Sequence, residues 1–116
     1  MFGKNIKNLG IYFDIISKKN PSKIALKFNN KEKFSFKDLN ELSKSFFLYF
    51  ENINLREKDI IAIESKKNIY SFAMVIAALK KGIAYSFVNF SESEKRANLI
   101  LSRLKPKKIF LFESTF

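Results

Sequence analysis

Ser65-Lys66-Lys67-Asn68 is the stretch of this chain best suited to hold a ligand. It follows the β-branched run Ile60–Ile63 and leads into a helical pattern that opens at Asn68. At the carboxyl end of a parallel strand, a helix N-terminus carrying two ammonium groups attracts anions. Gripping a phosphate also needs glycines, so that successive backbone N–H groups can converge on it. The chain has Gly3, Gly10 and Gly82, and none lies in this loop. A solvated loop is therefore the stronger reading. Glu92 and Glu94 are close enough in sequence for paired-carboxylate chemistry, but they sit where a helix starts, and capping explains them. Phe46-Phe47-Leu48-Tyr49-Phe50 offers rings for stacking on bases. Its helical stripe fits a core or an interdomain contact better. Lys18-Lys19 and Lys107-Lys108 read as solvated ends of elements. No residue of the chain is assigned a catalytic, cofactor-binding or metal-binding role.

Composition narrows the chemistry further. With no His and no Cys, the chain has no imidazole base, Ser–His or Cys–His pair, disulfide, zinc finger or iron–sulfur cluster. Its 116 residues make one domain or a piece of one. The formal net charge is +11. Only Arg56, Arg96 and Arg103 are arginines, and Lys, Ile, Phe and Asn together fill half of the chain. All four have AT-rich codons, so the lysine excess reads as codon bias. A phosphate-binding surface would favour the planar fork of Arg. The lysines are spread out, which argues against a specific nucleic-acid site, although non-specific attraction to anions is expected. The longest apolar run, Phe72–Leu79, is far short of the roughly 20 residues that cross a bilayer. Asp14 interrupts the only apolar stretch near the N-terminus, a poor signal peptide, so a cytoplasmic location is the default expectation.

The elements that would position these residues follow from periodicity. Ile24–Phe28 and Lys33–Phe36 alternate apolar and polar residues around Asn29-Asn30, which reads as a β-hairpin. Ser35 with Asp38 forms a capping box for a helix over 36–51, striped by Leu39, Leu42, Phe46 and Phe50 and ended by Asn52 or Asn54. Ile60–Ile63 is a buried strand. Asn68–Lys81 is a helix with a stripe of Ile69, Phe72, Ile76 and Leu79, closed by Gly82. Small and apolar residues fill most of its other faces, so cover on more than one side is expected. Ile83–Val88 is a further strand. Ser91 and Glu94 are expected to cap the next helix, whose inner face is Ala97, Ile100, Leu101 and Leu104. Ile109–Phe112 is a last strand. A short helix over Ile11, Ile15 and Ile16 is expected to end before Pro21. The fold class is α/β: an N-terminal β-hairpin, then alternating helices and strands in a mostly parallel sheet.

Several of these segments resemble the opening part of the adenylate-forming (AMP-binding) enzymes, which include acyl-CoA synthetases and peptide-synthetase adenylation domains. The resemblance rests on Asn20-Pro21-Ser22-Lys23-Ile24-Ala25-Leu26 and on Phe34-Ser35-Phe36-Lys37-Asp38-Leu39. It continues through Asp59-Ile60-Ile61-Ala62-Ile63, Ala77-Ala78-Leu79-Lys80-Lys81-Gly82-Ile83-Ala84-Tyr85 and Glu94-Lys95-Arg96. Family members usually carry Gly near Asn54 and Lys58, Pro near Phe87, Phe90 and Ser93, and Pro-Asn or similar near Lys66-Lys67. Those turn residues are replaced here, as in a divergent or decaying copy.

The resemblance implies a fragment: residues 1–116 as a single partial domain, the N-terminal part of an AMP-binding domain, with 1–21 as a leading segment. The parent reaction it implies joins a carboxylate to ATP as an acyl-adenylate and then passes the acyl group to a thiol. ATP and magnesium are implied for the complete enzyme and neither for this chain alone, because the family's Gly-rich phosphate loop is absent. The implied partner is the missing remainder of the ligase or a complementary chain, and the segment is expected to be inactive alone. Two other readings stay open: a stand-alone basic α/β module binding nucleic acid or another polyanion, and a subunit completing a split ligase. A parallel sheet ending near Phe112 would leave an open edge and uncovered apolar faces.

Overall fold

The computed structural model describes residues 9–91 and 93–112. Its elements, in chain order, are α1 (Leu9–Lys19), β1 (Ile24–Phe28), β2 (Glu32–Ser35), α2 (Phe36–Asn52), β3 (Ile60–Glu64), α3 (Ile69–Lys81), β4 (Ala84–Val88), α4 (Glu94–Leu104) and β5 (Lys108–Phe110). β1 and β2 form an antiparallel hairpin. Asn29 turns it at φ 51°, and the Asn29 side chain accepts a hydrogen bond from the Lys31 N–H. The other three strands form a parallel sheet in the order β4-β3-β5. The expected mixed α/β fold with a small parallel sheet is what the chain adopts.

β3 is the centre of the sheet. Ile61, Ala62 and Ile63 have no accessible surface. Side chains alternate across a strand, so Ile61 and Ile63 serve one face and Ala62 the other. On the first face they join Phe50 and Leu55 from α2 and the turn after it, Met74, Ala77 and Ala78 from α3, and Ile83. On the second face Ala62 meets Val88 of β4 and Ala97 of α4.

Capping is decided locally, and most of it follows the sequence. Ser35 and Asp38 form the reciprocal box, with Asp38 N–H to Ser35 Oγ and Ser35 N–H to Asp38 Oδ2 both at 3.1 Å. Gly82 closes α3 in the left-handed region at φ 77°. At α4 the outcome differs from expectation. The cap is Ser93, whose hydroxyl accepts from the Arg96 N–H, while Ser91 turns back to Asn89. Glu94 becomes the first residue of the helix, where its charge faces the positive end of the dipole. Glu92, like Gly3, lies outside the described residues.

Two helix faces also differ from the expected stripes. α1 buries Gly10 and Ser17, leaving Ile11 and Ile15 exposed. The reason is a close crossing: a Cβ on Gly10 would sit 2.7 Å from the Lys80 backbone nitrogen. On α3 the innermost residues are Ser71, Ala73, Met74, Ala77 and Ala78, while Phe72 stays 40% exposed. Small side chains let α1 and α2 approach α3 closely. Where the three helices meet, the Lys80 ammonium reaches Asp14 at 2.7 Å and Asn40 at 3.5 Å.

The aromatic run of α2 is core only on one side: Phe50 anchors it, Phe46 and Phe47 pack against the core, and Leu48 and Tyr49 are exposed. Phe50 is fully buried and its ring lies 5.6 Å from that of Phe110. The Lys81 ammonium lies 4.9 Å from the centre of the Phe47 ring. Lys107 is not a loose end, since its ammonium bridges Asp59 at 3.3 Å and the Asn54 carbonyl at 3.1 Å.

Asn54 and Lys58, in the connection to β3, both adopt positive φ, at 62° and 78°. These are two of the positions where the resembling enzymes usually carry glycine. Asn accepts that region at small cost, and Lys does not. Lys58→Gly is therefore expected to stabilise the chain by about 1 kcal/mol, and Gly10→Ala to destabilise it by about 2 kcal/mol through overpacking against Lys80. Urea titrations of the two variants check both signs.

Asp59 generates a pH prediction. The Arg56 N–H bonds its carboxylate at 2.7 Å, and this, helped by Lys107, holds its pKa below the ordinary 3.8. A lowered folded-state pKa adds stability that is complete above the unfolded value and disappears as pH falls through the folded one. Thermal melts of the parent should lose stability from about pH 4 downward, and Asp59→Asn should lose less over that range.

Candidate functional site

In a doubly wound sheet the ligand crevice lies beyond the carboxyl ends of the strands, where the strand order reverses. The chain runs from β3 to β4 on one side, then crosses to β5 on the other. The reversal falls between β3 and β5, so the crevice is bounded by the end of β3 at Glu64 and the residues after β5. This is also where the expected Ser65–Asn68 loop emerges.

The crevice is bridged by the chain itself. The Phe112 N–H donates to Glu64 Oε1 at 2.7 Å. The Lys66 ammonium pairs with Glu64 Oε2 at 3.5 Å and donates to the Phe112 carbonyl at 3.4 Å. One carboxylate and one ammonium thus hold both backbone groups of Phe112. Lys66 acts here as a clasp across the crevice.

The α3 N-terminus is occupied in the same way. Asn68 Oδ1 accepts the Ser71 N–H at 2.8 Å, and the Asn68 N–H points to Ser71 Oγ at 3.5 Å. The buried Ser71 hydroxyl also donates to the Lys66 carbonyl at 2.8 Å. Ser65 N–H donates to the Val88 carbonyl at 2.9 Å, tying the loop to β4. A cleft of about 360 Å³ remains beside the loop, bounded by Ser65, Lys66, Lys67, Ser71, Phe72 and Phe87. Its walls are two half-exposed phenyl rings, and Lys67 is exposed at the loop beside them.

The polar groups of this cleft are spent on the chain itself: the Ser71 hydroxyl on the Lys66 carbonyl and the Lys66 ammonium on Glu64 and Phe112. Among the described residues no three carboxylate, imidazole or thiol groups gather as a metal site. Glu94 stands at the start of α4, on an element separate from the clasp. The clasp itself was beyond sequence reasoning: Glu64 and Phe112 are 48 positions apart, and nothing in either segment signals the other.

The clasp predicts the loop's behaviour. Removing the Glu64 acceptor should cost about 1 kcal/mol, whereas Lys67→Ala should change stability by less than about 0.5 kcal/mol. Added phosphate at constant ionic strength should leave the melting temperature of the parent unmoved; a rise would show an anion site in this loop.

The AMP-binding enzyme family profile matches residues 13–115. The L-2-aminoadipate reductase large subunit of Candida glabrata is 26% identical over 81 residues, which is 70% of this chain and 6% of that protein. The Klebsiella oxytoca NpsA N-terminal subdomain superposes with a TM-score of 0.83 at 24% identity, over 96% of this chain and 29% of its own. The N-terminal domain of FACL13 from Mycobacterium tuberculosis gives a TM-score of 0.80 at 16% identity, over 90% of this chain and 26% of its own. The chain therefore spans less than a third of each of these relatives. It contains no helix among its described residues that is long and apolar enough to cross a membrane. With the family profile covering all but the first residues and the last one, the chain belongs to the AMP-binding enzyme family, as an N-terminal part of that fold.

Proposed function

We propose that this chain supplies the opening subdomain of an ATP-dependent acyl-activating ligase and that catalysis requires a further polypeptide segment. In this reading the complete enzyme joins a carboxylate to ATP as an acyl-adenylate, with magnesium, and then transfers the acyl group to a thiol. The observation that carries the proposal is the family match over 13–115 together with a superposition that accounts for only 29% of the NpsA subdomain. The site geometry agrees. The crevice where a nucleotide would lie in a complete doubly wound sheet is bridged by Glu64, Lys66 and Phe112. With only three glycines and no cluster of them, the chain offers no converging row of backbone N–H groups for a triphosphate. Its contribution is a scaffold: a hairpin, a parallel sheet and four helices against which an ATP-gripping segment folds.

The stand-alone polyanion module has only the +11 charge in its favour. Purified alone with ATP, magnesium and a panel of aliphatic and aromatic carboxylates, the chain is expected to show no carboxylate-dependent exchange of pyrophosphate into ATP. Exchange above background by this chain alone would contradict the proposal.

A further inference from the structure

We propose that the outer face formed by α1 and α2 docks on an anionic lipid bilayer, its apolar end entering the headgroup region and its basic end lying against lipid phosphates. The surface lies apart from the crevice and its clasp, and the inference does not depend on the function proposed above.

α1 is packed with its small side inward. Gly10 and Ser17 are buried, while Ile11 is 53% and Ile15 41% exposed. Spacings of four and seven put Ile11, Ile15 and Lys18 on one outward face. α2 repeats the arrangement beside it. Lys37, Lys44 and Leu48 share a stripe that also holds Glu41, and Leu48 is 59% exposed. The two helices run antiparallel here, since Asp14 shares one groove with Leu48 and Lys18 shares the next with Lys37. The joint face is therefore polarised. Ile11 and Leu48 lie toward one end, Lys18 and Lys37 toward the other, and Ile15 and Lys44 between them.

The charges on this face are uncompensated. The groove at the apolar end, about 350 Å³, is walled by Phe47 and Leu48. Its carboxylate, Asp14, is already paired with the Lys80 ammonium at 2.7 Å. The groove at the basic end, about 240 Å³, is bordered by Lys18, Lys37 and Glu41, and Lys44 borders both. Among the described residues Lys18, Lys37 and Lys44 form no ion pair. Three ammonium groups thus face one carboxylate, that of Glu41, at the basic end.

Charge complementarity selects the occupant. An uncharged apolar partner would leave the three ammonium groups without counter-charge, and a free phosphate would leave Ile11, Ile15 and Leu48 in water. A leaflet containing anionic lipids answers both, as it does for interfacial helices with apolar and Lys-rich faces. It attracts positive charge through a diffuse surface potential, so lysine serves and the fork of arginine is not required. The competing occupant is an acidic helix of another protein. Such a helix beds its apolar side in a long groove. Here the grooves are small, and Ile11, Ile15 and Leu48 stand out from them.

The chain contains no Trp, so a single introduced one reports its own surroundings. In the full chain, Leu48→Trp is expected to shift its emission to shorter wavelength on mixing with vesicles of phosphatidylcholine and phosphatidylglycerol, and to keep it with phosphatidylcholine alone. Leu99→Trp, at an exposed apolar position of α4, should shift with neither. Co-sedimentation with the anionic vesicles at physiological salt gives a second readout. Changing Lys18, Lys37 and Lys44 together to Gln should weaken binding about a hundredfold, at about fivefold per ammonium. Changing Lys31, Lys67 and Lys95 to Gln removes equal charge from other faces and should weaken it less than about fivefold, because salt screens charges beyond about 8 Å. All these side chains are exposed, so each variant should keep the circular dichroism of the parent. The proposal is overturned if Leu48→Trp does not shift, or if Leu99→Trp shifts as far. It is overturned equally if the two triple variants weaken binding alike, for then only the net charge of +11 acts. Three results would assign the face to another occupant: dispersed short-chain phosphatidylglycerol shifting Leu48→Trp as the vesicles do, an acidic amphipathic peptide shifting it when vesicles do not, or a dimer of the parent that Leu48→Asp dissociates.

Discussion

Ile61, Ala62 and Ile63 have no accessible surface, and the strands and helices that enclose them are placed by contact with them. A strand buried on both faces and paired on both edges cannot be satisfied by water, so its neighbours must supply every hydrogen bond and every apolar contact. That requirement sets β4 and β5 on either side. It places α2 and α3 over Ile61 and Ile63, and α4 over Ala62. It also explains why α3 is lined with Ala73, Ala77 and Ala78: small residues bring the helix down onto the strand while α1 and α2 close over its back. The Gly10–Lys80 crossing belongs to the same constraint, since any side chain at residue 10 would hold α1 away.

Much of this was legible in the residues, and what was legible was local. The capping box of Ser35 and Asp38, the left-handed stop at Gly82 and the apolar strand Ile60–Ile63 are decided within a few positions, so sequence spacing is enough to find them. The α4 cap was misplaced by two residues because Ser91 and Ser93 are chemically alike, and only backbone geometry separates a turn serine from a capping one. The faces of α1 and α3 were misjudged for a different reason. Apolar stripes rank residues by hydrophobicity, but close helix crossings select for smallness, which is why Gly10 and Ala77 are inside while Ile11 and Phe72 are not. The Glu64–Lys66–Phe112 clasp was out of reach altogether, because it exists only after the sheet has formed.

The connection between α2 and β3 shows what divergence has done to the fold. Its backbone keeps left-handed turns at Asn54 and Lys58, although neither residue is glycine. The geometry persists because the surrounding contacts over-determine it: Lys58 N–H donates to the Gly82 carbonyl, and Lys107 ties Asn54 to Asp59. The left-handed turn at Lys58 thus stands on a residue poorly suited to it. The cost is strain, not a change of topology, in keeping with a TM-score of 0.83 at 24% identity.

The proposed scaffold role agrees with how the chain uses its polar groups. The polar residues at the carboxyl ends of the strands are spent on holding the chain together, Glu64 and Lys66 on Phe112 and Ser71 on the Lys66 carbonyl. Amide hydrogen exchange on the isolated chain tests this account most directly. Ile61, Ala62 and Ile63 should be the last amides to exchange, while that of Lys67, in the exposed loop after β3, exchanges quickly. Exchange of the β3 amides as fast as that of Lys67 would show that β3 is not the centre of the molecule's stability and would contradict the account.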